Sequence, residues 1–265
     1  VNAADYYMAT NGNDSNNGSL TTSWRSLSNS ASKLKPGDTL HIRAGTYQNE
    51  SMRLSSSNSG TASQRITVRN YNNEIVILQK PSIEFNGADY WTIEASSVGM
   101  IVLKDWDTID LDNGSDNNIF RRLELNDGWQ YGFSIYDGSN TLFEGNKFDT
   151  IRPASGTGDR HAIEIIDGKN NIVRGNTFRN ISADGVQLAW TCNQSQENTV
   201  IENNTFYVEN APNFPVPGCG ENAIDVKCMQ GGTIIRNNVL YGFRPTQSLS
   251  QGGTQCASGS PGEGI

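Results

Sequence analysis

Two short patterns of apolar and polar positions alternate along most of this chain. The first reads x-small-apolar-x-apolar-x, with copies at Thr108–Asp112, Gly132–Tyr136, Ala162–Ile166, Gly185–Ala189 and Ala223–Lys227. The second reads apolar-x-x-Asn-x-apolar, with copies at Phe143–Phe148, Val173–Phe178, Ile201–Phe206 and Ile235–Leu240. Both read as strands of a few residues, one face apolar and the other polar. Strands this short cannot stand alone, but a stack of similar coils lets each pair with the next. Parallel, in-register stacking predicts ladders of like residues. Asn146, Asn176, Asn204 and Asn238 form one expected ladder, since an amide both donates and accepts between coils. Ile119–Leu125 is an earlier relative, with Arg122 where Asn is expected. A sandwich would not repeat two segments in fixed order with Asn at one phase.

Aligning the first pattern gives coils of 24 residues from Ile109 to Phe133, 30 to Ile163, 23 to Val186, 38 to Ile224 and 41 to Ile265. The extra residues cluster before the strand, at 152–160, 207–220 and 241–262, with a further polar stretch at 190–198. In a solenoid, insertions at one phase build a wall beside one face, often the binding face. Three of the four cysteines fall in these insertions, and Cys228 directly follows a copy of the strand. The coil alignment suggests Cys192–Cys228 and Cys219–Cys256, and an even number without metal-binding spacing implies an oxidising, extracellular setting. Gly264-Ile265 reads as the start of another strand, so the C-terminal coil is expected to be uncapped or truncated, with end-to-end self-association as one consequence.

The N-terminal fifth differs. Residues 1–50 read as a cap and first coil, with a helix around Trp24–Leu34, and 51–265 as coils of the same domain. The stretch Leu34-Lys-Pro-Gly-Asp-Thr-Leu-His-Ile-Arg-Ala-Gly-Thr-Tyr47 resembles the entry coil of the pectate lyase-like superfamily of secreted polysaccharide-active proteins. Gln64–Arg69 and Glu74–Ile77 resemble the strands that follow it. The resemblance implies an all-β, right-handed parallel β-helix with an N-terminal capping helix, and a polysaccharide as partner.

Composition narrows this picture. Charged residues are 18% and hydrophobic residues 35%, and the formal net charge is −8. An acidic surface excludes nucleic acid as the main partner, and no apolar run reaches membrane-spanning length. The charge also opposes an acidic polysaccharide unless a basic patch or a bound cation offsets it.

Stacking the first pattern aligns its outward residues as Asp110, Ser134, Glu164, Gln187 and Asp225. The position before each strand reads Asp107, Tyr131, His161, Asp184 and Asn222. Glu164, Asp184, Glu221 and Asp225 are the candidate ligands of a hard cation such as Ca2+, which answers crowded carboxylates with oxygen coordination. Lyases of the resembled superfamily remove the proton alpha to a uronate carboxyl group. That implies a base, for which Lys227 is the candidate, with Arg160 and His161 assisting. Tyr136, Trp190 and Arg152 are candidate substrate-binding residues, and Trp129 and Tyr131 add aromatic faces for sugar rings. Two alternatives stay open: an inverting glycoside hydrolase using paired carboxylates, and a non-catalytic extracellular scaffold, adhesin or fibre subunit.

Overall fold

A computed structural model describes residues 3–106, 108–152, 160–189, 196–209, 222–227 and 231–243. The chain winds into a parallel β-helix of three sheets with nine, seven and eight strands. Every strand pair among them is parallel, and each strand bonds to its counterparts one coil before and one coil after. The register of the first pattern matches the alignment above: Ile109 faces Phe133, then Ile163, Val186 and Ile224. Two earlier strands, Ser51–Ser55 and Ser82–Asn86, extend this seven-stranded sheet toward the N-terminus.

The second pattern is not one strand. Phe143 belongs to Leu142–Glu144 in the nine-stranded sheet, and Phe148 to Lys147–Ile151 in the eight-stranded sheet. Between them the chain turns a corner. Gly145, Gly175, Asn203 and Asn237 carry positive φ of 65°, 64°, 55° and 56° at that corner, where glycine and asparagine meet the least strain. Each following Asn points inward. Asn146 Nδ2 donates to Asn176 Oδ1, Asn176 Nδ2 to Asn204 Oδ1 and Asn204 Nδ2 to Asn238 Oδ1, all at 3.0 Å. The same geometry shifts one alignment by a residue. Arg122 is the left-handed corner residue (φ 58°), so buried Leu123, not Arg122, occupies the Asn phase. The ladder ends there, with Asn146 Oδ1 accepting the Leu123 N–H at 3.0 Å.

Like residues also stack inside the bore. Phe148, Phe178 and Phe206 lie nearly parallel, with centroids 4.8 and 4.4 Å apart. A short helix, Leu27–Lys33, covers the N-terminal end with Leu27, Ser30 and Ala31 turned inward. Buried Glu50 accepts the Leu27 N–H (2.7 Å) and pairs with Arg25 (2.9 Å), tying the helix to the first coils.

Outside the nine-stranded sheet, one column alternates in sign: Arg69, Glu94, Arg121, Glu144, Arg174, Glu202, Arg236. A strand that skipped a coil would meet its own charge, so the column opposes wrong pairings. Glu94 is its most buried member, with the side chain 6% exposed, and it faces Arg121 (2.6 Å), Arg122 (3.1 Å) and Arg69 (3.5 Å). Glu94→Gln is expected to cost about 1–3 kcal/mol, below a fully buried pair because water screens the arginines. Urea unfolding checks this, and a loss under about 0.5 kcal/mol would show the column to be ornamental.

Candidate functional site

The seven-stranded sheet carries the outward column Arg53, Glu84, Asp110, Ser134, Glu164, Gln187, Asp225. Its two halves differ. In the N-terminal half Arg53 pairs with Glu84 at 3.1 Å. There burial, and then the Glu84 charge, raise the nearby Asp112 carboxyl above its usual value. In the C-terminal half Glu164 and Gln187 are turned away from the core, yet are only 1% and 4% exposed. Polar side chains enclosed on this face need partners or a ligand.

The position before each strand forms a second, connected column. The Tyr131 and His161 rings stack with centroids 5.5 Å apart. His161 Nδ1 accepts the Asp184 N–H at 3.1 Å, and Asn222 Nδ2 donates to Asp184 Oδ1 at 2.9 Å. Asp184 Oδ2 also lies 3.2 Å from His161 Nδ1. That approach is not a hydrogen bond in this arrangement. A ring nitrogen that accepts a backbone N–H holds no proton to donate, so the imidazole carries its proton on Nε2. Asp184 Oδ2 is therefore buried without a hydrogen-bond partner, as is Gln187 Oε1 three residues on in the same coil. Two orphaned oxygens within one coil are the notable feature of this face.

The other candidate residues fall around it. Asp225 stands two coils from Glu164, as the alignment requires, and its Oδ2 pairs with Lys227 Nζ at 2.5 Å. Arg160 donates from Nε to Trp129 O (3.0 Å) and lies 5.6 Å from the centre of the Tyr131 ring. Trp129 and Tyr136 are 44% and 47% exposed, so each presents an aromatic face to solvent. Arg152 sits at the rim, at the end of Lys147–Ile151. Trp190, Glu221, Asp107 and all four cysteines lie outside the described residues, so the proposed pairings Cys192–Cys228 and Cys219–Cys256 do too.

Among the described residues, no group of three His, Cys, Asp or Glu side chains is close enough to hold a metal ion. Gln187 and Asn222 were present in the aligned columns, but reasoning from charge alone passed over them. The usable signal was their phase, since a neutral amide between two carboxylates on one sheet face is a natural oxygen donor.

Residues 6–220 match the family model described as Pel9A-like, right handed beta helix region. A pectate lyase of Emericella nidulans, PEL9, is 27% identical over 149 residues, covering 51% of this chain and 36% of that protein. The solved pectate lyase Pel9A superposes with a TM-score of 0.65 at 20% identity, over 90% of this chain and 63% of its own. A solved rhamnogalacturonan lyase gives 0.64 at 19% identity, over 92% and 64%. The chain thus spans less than two thirds of each of these relatives, and the two solved structures share its fold. With the family model covering most of the coils described above, the chain belongs to the Pel9A-like right-handed β-helix family.

Proposed function

We propose that the protein is a secreted polysaccharide lyase that cleaves a uronate-containing chain by β-elimination, assisted by calcium. The observation that carries this reading is Asp184 Oδ2, buried without a hydrogen bond beside the C-terminal half of the seven-stranded sheet. A buried carboxylate oxygen facing a lone pair is costly unless a cation or a donor meets it. The side chains offered as its ligands, Glu164, Asp184, Gln187, Glu221 and Asp225, all carry oxygen donors, the kind that suits a hard cation. When bound, calcium supplies the positive charge that neutralises the uronate carboxylate and acidifies the proton alpha to it.

The chain's own residues do the rest. Lys227 is the base; it acts as the neutral amine, so its ammonium proton must first pass to solvent, which the ion pair with Asp225 opposes. Asp225 thereby controls when Lys227 acts. His161 has Nδ1 occupied, so Nε2–H is the donor it offers to the sugar. Arg160, held over Tyr131, adds fixed positive charge beside the site. The acidic N-terminal half, where Glu84, Asp110 and Asp112 crowd, directs an anionic polymer toward the other half.

Pectate, alginate and glycosaminoglycans, each incubated with the protein in calcium or in chelator, test the reading. One uronate polymer is expected to give the ultraviolet absorbance of an unsaturated sugar, and chelator should abolish it. No absorbance on any polymer in calcium overturns the proposal. Two enclosed carboxyl groups, Glu164 and Asp184, also suit inverting hydrolysis. New reducing ends without absorbance would select that reading. Peptide mapping without reduction tests the disulfides that belong to a secreted protein.

A further inference from the structure

Three residues share one register position, each directly after a strand of the eight-stranded sheet. Arg152 N–H donates to Gly128 O (2.9 Å) and Ser182 N–H to Ile151 O (2.8 Å), so Trp129, Arg152 and Ser182 follow one another in successive coils. Two positions before them Asp127, Thr150 and Asn180 carry positive φ of 60°, 60° and 53°. Thr150 is β-branched, and such a residue adopts this conformation at a cost of about 1–3 kcal/mol. Each left-handed residue is the second-to-last of its strand, just before the chain leaves the eight-stranded sheet.

Arg152 differs from the arginines elsewhere on the surface. Arg43, Arg121, Arg174, Arg179 and Arg236 are each paired with a carboxylate. Among the described residues Arg152 has no such pair, and its Nε is buried without a hydrogen-bond partner. Ser182 Oγ, one coil on, is likewise buried and unpartnered. Asp149, the described acidic residue closest to Arg152 along the chain, is already held by Arg179 (2.9 Å) and Lys147 (3.1 Å). Orphaned donors of this kind persist where a ligand supplies the missing acceptors. Arg160 lies on the other side: its guanidinium bonds Trp129 O while the Arg152 backbone bonds the adjacent Gly128 O. Trp129, at the same register position as Arg152, is 44% exposed.

We infer that Arg152, Ser182 and Trp129 form a sugar subsite on this rim that recognises the carboxylate of a uronate residue, next to Arg160. The inference rests on the reading that this sheet receives a polysaccharide, and it adds which charge the rim selects. The planar guanidinium meets both oxygens of a carboxylate, a geometry a lysine does not reproduce. Ser182 Oγ hydrogen-bonds a sugar hydroxyl, and the Trp129 ring stacks on the apolar face of the pyranose.

Calorimetry on the whole chain in chelator tests this, with uronate trimers (galacturonate and mannuronate) and their methyl esters as probes. Wild type should bind an acid trimer at least about 10-fold more tightly than its neutral ester. Arg152→Gln should weaken the acid by about 10- to 100-fold and leave the ester unchanged. Arg152→Lys should recover only part of the preference, and Trp129→Ala should weaken acid and ester alike. Because the Arg152 guanidinium has no partner to lose, Arg152→Gln should keep the wild-type urea midpoint. A purely structural arginine would lower that midpoint and both affinities together, which overturns the subsite. Equal binding of acid and ester by wild type also overturns it. The lyase reading fails separately: an Arg152-dependent acid preference without elimination leaves the subsite standing. Conversely, elimination with unchanged KM in Arg152→Gln removes the subsite and leaves the lyase.

Discussion

Replacing Asn176 with alanine is expected to cost about 3–5 kcal/mol, a large share of the stability of an ordinary domain. The side chain is 1% exposed and makes four hydrogen bonds. Its Oδ1 accepts the Asn146 N–H (2.8 Å) and Asn146 Nδ2 (3.0 Å). Its Nδ2 donates to Phe143 O (2.9 Å) and Asn204 Oδ1 (3.0 Å). Alanine strands these groups in the interior of two coils, where water does not replace the amide, and each buried orphan costs about 1–3 kcal/mol. The control is the outer ladder, in which exposed Asn170 Nδ2 reaches Asn140 Oδ1 at 3.2 Å. Asn170 has φ 56°, so Asn170→Gly keeps the backbone and should cost no more than about 1 kcal/mol. Urea midpoints measure both. If Asn176→Ala falls within 1 kcal/mol of wild type, the ladder decorates the corner rather than holding it. A fall in m as well would mean that the coils on either side unfold separately.

That ladder marks how far the sequence could be read. Its phase was legible because four copies of the pattern keep Asn at one position. The three-sheet architecture was less so. Phe143, Asn146 and Phe148 all point inward, and a step of three followed by two cannot be one straight strand. The break in period is the corner, and the glycine or asparagine before each ladder Asn supplies its left-handed conformation. Arg122 hid the pattern in one coil, because its side chain is wrong for the corner while its backbone adopts it. The outward columns of the seven-stranded sheet could be aligned because parallel register carries each residue onto its counterpart. What alignment could not supply was burial. Glu164 and Gln187 look solvent-facing by alternation, and only the folded chain reveals that they are enclosed. Nor does spacing tell that Arg152 stays unpaired while Arg179, equally surrounded by polar residues in the sequence, is bound to Asp149 and Glu209.

Asp184→Asn is expected to separate stability from function. The carboxylate keeps one good partner, since Asn222 Nδ2 donates to Oδ1 at 2.9 Å, and an amide oxygen accepts the same bond. The other oxygen faces His161 Nδ1 at 3.2 Å, and that nitrogen already accepts the Asp184 N–H. An amide nitrogen in its place turns an acceptor–acceptor contact into a donor–acceptor one and removes a buried negative charge. Stability should therefore rise by about 0.5–1 kcal/mol, read from the urea midpoint in chelator. Elimination should fall by about 100- to 1,000-fold, because a charged oxygen ligand is lost where the cation must neutralise the substrate. Calcium should also cease to raise the melting temperature, a readout independent of turnover. Loss of stability and activity together would make Asp184 a structural partner of His161 and Asn222 and nothing more. Unchanged calcium stabilisation would move the cation away from this column. A gain in stability with a loss of elimination fits a buried carboxyl that keeps one oxygen open for a ligand, at the position where the repeat brings His161, Asp184 and Asn222 into one line.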